Sequence, residues 1–152
     1  MSITWIITAN ASVAKIYVSA HLKDDCQLIR ELLHPEARLK EQDLVTDRPG
    51  HYKTANPSRG AFVGHNSHKE TEKDRFAKII VDILDHGFTT NEFSKLILTA
   101  SPAFLGHLKT HIPSSLAHQI KLTIAKDFTY VTPKELLLIL DEEYQAKIAE
   151  PA

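Results

Sequence analysis

Ile3-Thr4-Trp5-Ile6-Ile7-Thr8-Ala9-Asn10-Ala11-Ser12-Val13-Ala14-Lys15-Ile16-Tyr17-Val18 is the stretch that decides the fold. Ile3, Trp5, Ile7 and Ala9 alternate with Thr4 and Thr8, the period-two pattern of a strand with one apolar face. Asn10-Ala11-Ser12 carries turn chemistry, because Asn and Ser side chains bond nearby backbone groups. Residues 13–18 are β-branched and aromatic and return as a second strand, so the chain opens with a hairpin. After a polar turn over 19–25, Gln27 to Leu33 fits a third strand or a short helix, and the hairpin before it favours the strand.

Downstream the period changes. Ser67-His68-Lys69-Glu70 matches a capping box, a hydroxyl followed three residues on by a carboxylate. It predicts a helix running to about residue 86 with Phe76, Ile79, Ile80, Ile83 and Leu84 on one stripe. Gly87 fits the stop just past its end. Residues 95–100 are a short apolar run, read as a buried strand. Ser101-Pro102 opens a second helix, with serine as N-cap and proline at the first helical position. Phe104, Leu105 and Leu108 give it an inner face, and Pro113 ends it. Ile120, Leu122 and Ile124 alternate with Lys121 and Thr123 as a fifth strand. Thr132-Pro133-Lys134-Glu135 is another capping box, and Leu136, Leu137, Leu140 and Tyr144 line the last helix. The order β-β-β-loop-α-β-α-β-α predicts an α/β fold: a mixed five-stranded sheet, order 3-2-1-4-5, with helices on its faces. Right-handed crossovers through the first two helices produce that order, which is the ribonuclease H-like architecture.

The 152 residues fit one domain spanning 1–152, large enough to fold without staples. A net charge of −1 argues against a generally basic, nucleic-acid-coating surface. Cys26 is the single cysteine, which excludes an internal disulfide and a cysteine zinc cluster and suits a small packed hydrophobe. The chain shows no basic leader with an apolar core, and no run long enough to span a bilayer. The expectation is a soluble cytoplasmic protein without membrane insertion.

Residues 34–69 form a polar segment longer than an ordinary connection, and such segments usually carry function or are disordered. From Leu44 to Lys69 the bases are Arg48, Lys53, Arg59 and Lys69 against Asp47 alone, a local charge of +3, with His51, His65 and His68 in addition. Arginine grips phosphate through paired hydrogen bonds, and glycine lets a backbone approach closely. Arg38, Asp47, Arg48, Pro49, Gly50, His51, Lys53, Arg59, Gly60 and Ser67 are therefore the candidate nucleic-acid or anion-binding residues. Tyr52 and Phe62 interleave with them.

Other chemistry finds less support. A ribonuclease H-like nuclease holds two metal ions with carboxylates, one of them on the first strand. Here that strand offers Thr4, Thr8 and Asn10, and the fourth strand ends on Thr99 and Ser101. Glu70, Glu72 and Asp74 read as acids compensating a helix dipole. His65 with His68, and His107 with His111, have spacings that can hold a metal, but neither pair has a third ligand nearby, and solvent-facing or capping histidines explain both. Gly60-Ala61-Phe62-Val63-Gly64-His65 lacks the Gly-Lys-Ser/Thr ending of a phosphate loop and follows no strand. Ser101 with His107 offers no triad signature. Trp5 reads as core. No metal, cofactor or catalytic residue is expected, and the balance leans away from an enzyme.

Leu33-His34-Pro35-Glu36-Ala37-Arg38, Asp43-Leu44, Asp47-Arg48-Pro49-Gly50, Phe76-Ala77, Ala100-Ser101-Pro102-Ala103-Phe104-Leu105-Gly106 and Lys126-Asp127-Phe128-Thr129 resemble the bacterial host attachment protein family, over about residues 4–135. The family's name implies a protein required for attachment to host cells. The family is also similar to the middle domain of archaeal and eukaryotic peptide-chain release factors, whose ribonuclease H-like sheet carries a Gly-Gly-Gln loop before its first long helix. The corresponding place here is the 34–69 segment. Its glycines are Gly50, Gly60 and Gly64, and none precedes a glutamine. That departure puts release-factor hydrolysis in doubt. Pelota-like rescue factors also lack the motif and act by binding. The resemblance thus implies a ribosome or structured-RNA partner. Two other readings stand beside it: a protein partner in adhesion, and a small-molecule or phosphoryl enzyme using the cleft at the ends of strands one and four, with Asp47, Arg48 and His51 nearby.

Overall fold

A computed structural model describes residues 3–20, 25–34 and 58–149, with side chains placed over 3–20, 25–34 and 70–146. Five strands form one sheet: β1 (Thr4–Ala9), β2 (Val13–Ser19), β3 (Gln27–Leu33), β4 (Lys95–Ala100) and β5 (Ile120–Ile124). Their order is β3-β2-β1-β4-β5, as the sequence predicts. β1 and β2 pair antiparallel from Thr4↔Ser19 to Ala9↔Ala14. β1 and β4 run parallel in unbroken register from Thr4↔Lys95 to Ala9↔Ala100. Ambiguous Gln27–Leu33 is a strand, paired antiparallel to β2, and Ile29 is a bulge between the Ile16↔Arg30 and Tyr17↔Leu28 pairs. Among the described residues four helices complete the fold: α1 (Ser58–Thr89), α2 (Pro102–His111), the single turn α3 (Ser114–Ala117) and α4 (Pro133–Ala149).

Two apolar layers flank the sheet. On one side Trp5, Ile7 and Ile16 meet Phe76, Ile80 and Leu84 of α1 and Phe104 and Leu108 of α2. On the other, Ile6, Tyr17, Ile97 and Leu122 meet Leu136 and Leu140 of α4. β1 is buried along its whole length because helices cover both of its faces. Cys26 is buried, and its thiol is pushed up to about 11 by that burial and by the Asp25 carboxylate. It packs as a small hydrophobe, with Sγ 3.6 Å from the Pro133 carbonyl.

Both ends of α1 differ from the sequence reading. The helix starts at Ser58, so Ser67-His68-Lys69-Glu70 is helix interior and the capping box there does not form. Helix growth is cooperative: each added residue satisfies one more backbone group, which outweighs the roughly 1 kcal/mol cost of each of Gly60 and Gly64. The last third of the 34–69 segment is therefore helical backbone rather than loop. Nor does Gly87 stop the helix. The turn closes through Thr90 N–H to the His86 carbonyl at 3.0 Å and Glu92 N–H to the Gly87 carbonyl at 2.8 Å. Asn91, at φ 62°, takes the left-handed position, which asparagine tolerates.

Gly87 serves packing instead. A Cβ there would lie 2.6 Å from Trp5 Cη2 and 2.8 Å from Cζ3, with Phe93 at 3.2 Å behind. Gly87→Ala gains up to about 1 kcal/mol of helix propensity but overpacks a rigid buried ring at about 1–3 kcal/mol. A net loss of about 1–2 kcal/mol in urea unfolding is expected. An unchanged or raised midpoint would show that the Trp5 ring yields freely.

The caps elsewhere split. Ser101 precedes α2 with Pro102 in the first turn, as expected, yet its hydroxyl makes no cap bond. The second box forms in full: Glu135 accepts from Thr132 N–H at 3.0 Å, and Thr132 Oγ1 accepts from Glu135 N–H at 3.1 Å. The Thr132 backbone donor holds the Glu135 carboxyl below its usual range.

Candidate functional site

The ends of β1, β3 and β4 and the start of α2 share one edge of the sheet, the carboxyl edge of the parallel strands, where open α/β sheets place ligands. His34 pins the chain there. It is buried, its N–H bonds the Ser12 carbonyl at 2.9 Å, and its Nδ1 donates to the Ala11 carbonyl at 3.0 Å. The ring stacks on Phe76 with centroids 4.8 Å apart and planes 6° from parallel. Phe76 in turn meets Phe104 at 5.8 Å. His34 is thus a core residue rather than the first residue of an exposed loop.

Gly87 against Trp5 at one end, and Phe76 against His34 at the other, orient α1. It runs from the carboxyl edge back toward the amino edge. Its first three turns, residues 58–69, extend about 18 Å.

Of the sequence-predicted site residues, Arg38, Asp47, Arg48, Pro49, Gly50, His51 and Lys53 lie outside the described residues. Arg59, Gly60 and Ser67 are placed as α1 backbone: Arg59 and Gly60 in the first turn, Ser67 in the third. That first turn holds no acidic residue. The positive end of the helix dipole and the Arg59 charge both have the sign that attracts an anion.

At the same edge, a polar network ties the β1–β2 turn to the segment before α4. Asn10 Oδ1 accepts from the N–H groups of Ser12 and Val13 at 2.8 and 2.9 Å. Its Nδ2 donates to Asp127 Oδ2 at 2.8 Å and to Thr129 Oγ1 at 3.2 Å. Thr129 donates to Asp127 Oδ1 from both N–H and hydroxyl, at 2.9 and 2.7 Å, and Lys15 Nζ reaches the Thr129 carbonyl at 2.8 Å. Burial pushes the Asp127 carboxyl up, but the Asn10 and Thr129 donors together hold it below the usual range. These groups are spent on one another, which makes the cluster a fastener of the strand ends.

Between α1 and α2 the structure corrects two sequence readings. Glu70 and Asp74 sit beyond the first turn of α1, so they do not compensate its dipole. His107 and His111 do not face solvent. His107 Nδ1 is 3.2 Å from Asp74 Oδ1, and its Nε2 is 3.1 Å from Glu70 Oε1. His111 Nε2 lies 3.0 Å from Asp74 Oδ2, within ion-pair range but too bent for a hydrogen bond. The matching four-residue spacings, acids on one helix and histidines on the other, were the available signal. Among the described residues no group of three or more such side chains is arranged to hold a metal ion. A cleft of about 220 Å³ opens at the other end of α1, lined by Trp5, Arg30, Asp82, His86 and Glu92 among others.

In the sheet, Thr99 Oγ1 donates to the Ile7 carbonyl at 2.8 Å, while its register neighbour Thr8 buries a hydroxyl with no partner among the described residues. Thr8→Val is therefore expected to leave stability unchanged or raise it by about 1 kcal/mol, and Thr99→Val to lower it by about 1 kcal/mol. Thermal unfolding of the two variants side by side checks the pair. A clear loss from Thr8→Val would mean that its hydroxyl is satisfied.

An open mixed sheet in the order 3-2-1-4-5, with a long helix entering from the carboxyl edge, defines the protein's class as α/β with a ribonuclease H-like strand order. A family model described as "Protein required for attachment to host cells" matches residues 5–140. The chain belongs to that family, and the membership suggests a role in host attachment. A search of curated proteins finds no match. Among the described residues, no helix is long and apolar enough to cross a membrane.

Proposed function

We propose that this member of the attachment family is an RNA-binding module, with the ribosome as its natural partner, working by contact rather than by hydrolysis. The observation that carries the reading is the first turn of α1, which holds Arg59 and no acidic residue at the positive end of a 32-residue helix. It continues the +3 stretch between Leu44 and Lys69. Arg38, Arg48, Lys53 and Arg59 would meet phosphates, with Pro49, Gly50 and Gly60 shaping the backbone. Asp47, His51 and Ser67 complete the contact region. A-form RNA is recognised mainly through its backbone and shape, which suits a basic arm. The resemblance to release-factor middle domains supports the same partner, and the missing Gly-Gly-Gln favours binding without ester hydrolysis. Attachment would then depend on the protein indirectly, from the cytoplasm. Co-sedimentation with ribosomes at low salt tests the proposal: the protein should pellet with them, and recovery in the supernatant alone would end it.

A second reading is kept because one observation favours it. The edge strand β3 exposes Leu28, Ile29 and Leu33, at 46, 47 and 51%, and an open edge can accept a partner's strand. A pull-down dominated by envelope proteins and free of ribosomal ones would favour this reading.

A further inference from the structure

We infer that the junction of Glu70, Asp74, His107 and His111 is a proton-operated clamp between α1 and α2, complete only when His107 carries both ring protons. The geometry is the argument. Both nitrogens of His107 face carboxylate oxygens, Asp74 at 3.2 Å and Glu70 at 3.1 Å. A carboxylate only accepts, and a neutral imidazole has one N–H to donate. Whichever tautomer it takes, a neutral His107 turns a lone pair toward an anionic oxygen. The imidazolium donates to both and joins two turns of α1 through one side chain of α2. His111 adds a second contact of the same sign, its Nε2 enclosed and 3.0 Å from Asp74.

The surrounding charges fit this reading. Lys73 holds Glu70 at 3.3 Å on α1, leaving its other oxygen for His107. Glu72 is buried on the same helix. α2 itself adds Lys109, α3 carries no charged residue, and the one charge of β4, Lys95, lies at the opposite end of that strand.

The acid limit follows from the carboxyls. Lys73 first, then His107, hold Glu70 below the usual range, and the His107 bond does the same for Asp74. A depressed carboxyl stabilises above its unfolded pKa, and that stability is lost as pH falls through the folded value. The clamp is therefore strongest in the window where the carboxyls are ionised and the imidazole is protonated. It weakens on either side. Because the Glu70 and Asp74 side chains are 60 and 44% exposed, solvent screens the pairs and the effect is modest.

Native-state amide exchange at two pH values tests the clamp. Protection factors over α2 and the facing turn of α1 should fall about fivefold between roughly pH 5.5 and 8, the range over which imidazoles change charge. His107→Gln should remove most of that fall, the His111–Asp74 contact remaining, and Glu70→Gln, which keeps shape and removes one charge, should reduce it. Salt at about 1 M should shrink it in the native protein. An equal fall in native protein and both variants, or no fall in the native protein, overturns the inference. If His107→Gln does not fold, Glu70→Gln and the salt arm decide it.

Discussion

Phe76→Ala is expected to lower the free energy of unfolding by about 3–5 kcal/mol, the range for emptying an aromatic core site. Phe76 is 3% exposed and stands between the end of β3 and the start of α2. It stacks on His34 at the end of β3 and touches Phe104 at the start of α2. Removing the ring leaves a cavity and strips one face from His34, which is buried and held on its rim by the Ala11 carbonyl. Against a typical total of about 5–15 kcal/mol, that is roughly a fifth or more of the stability. Phe76→Leu keeps most of the volume and should cost less, about 1–2 kcal/mol. Urea unfolding of the three proteins checks the order. A loss below about 1 kcal/mol from Phe76→Ala would mean that the cluster is not packed as described.

The second large effect concerns binding. Arg48→Ala with Arg59→Ala should weaken RNA or ribosome binding about 25- to 60-fold at 0.1 M salt, since each phosphate contact contributes roughly 0.7 to 0.9 of a decade per decade of salt below 1 M. The fold should survive, because among the described residues the two apolar layers are built from other segments of the chain. Circular dichroism of the double variant verifies that. Affinity within threefold of the native protein would remove these two arginines from the interface.

Most of the architecture was legible in the sequence because its signals are local and periodic. Strand alternation in β1 and β2, the β4 run followed by Ser101-Pro102, and the Thr132–Glu135 box each announce an element or its boundary, and together they force the strand order. The errors arose where one local signal had two readings. Ser67 with Glu70 has the spacing of a cap, yet the same residues continue a helix already begun at Ser58. Gly87 has the chemistry of a stop, but its missing Cβ is used against Trp5, a contact 82 positions away along the chain. His34 looked like the start of a polar loop, and only the tertiary fold supplies Phe76 and Ala11 to bury it.

The candidate site was legible to a different degree. The charge imbalance of the 34–69 segment can be counted from sequence, but the contacts of Arg38, Asp47, Arg48 and Lys53 lie outside the described residues. What the fold adds is Arg59 in the first turn of a long helix and His34 fixed at the carboxyl edge of the sheet. The pairing of Glu70 and Asp74 with His107 and His111 left only its matching spacings in the sequence, since it needs a helix crossing that joins residues more than thirty positions apart.

The central claim is that the segment centred on Arg48 and Arg59 binds RNA through phosphates. Its most direct test is the salt dependence of ribosome binding from about 50 to 200 mM, for the native protein and the Arg48→Ala, Arg59→Ala variant. With four phosphate contacts, log K should fall with log salt at a slope of about −3, and the variant's slope should be shallower by about 1.4 to 1.8. No binding at the lowest salt, or the same slope in both proteins, would contradict the account.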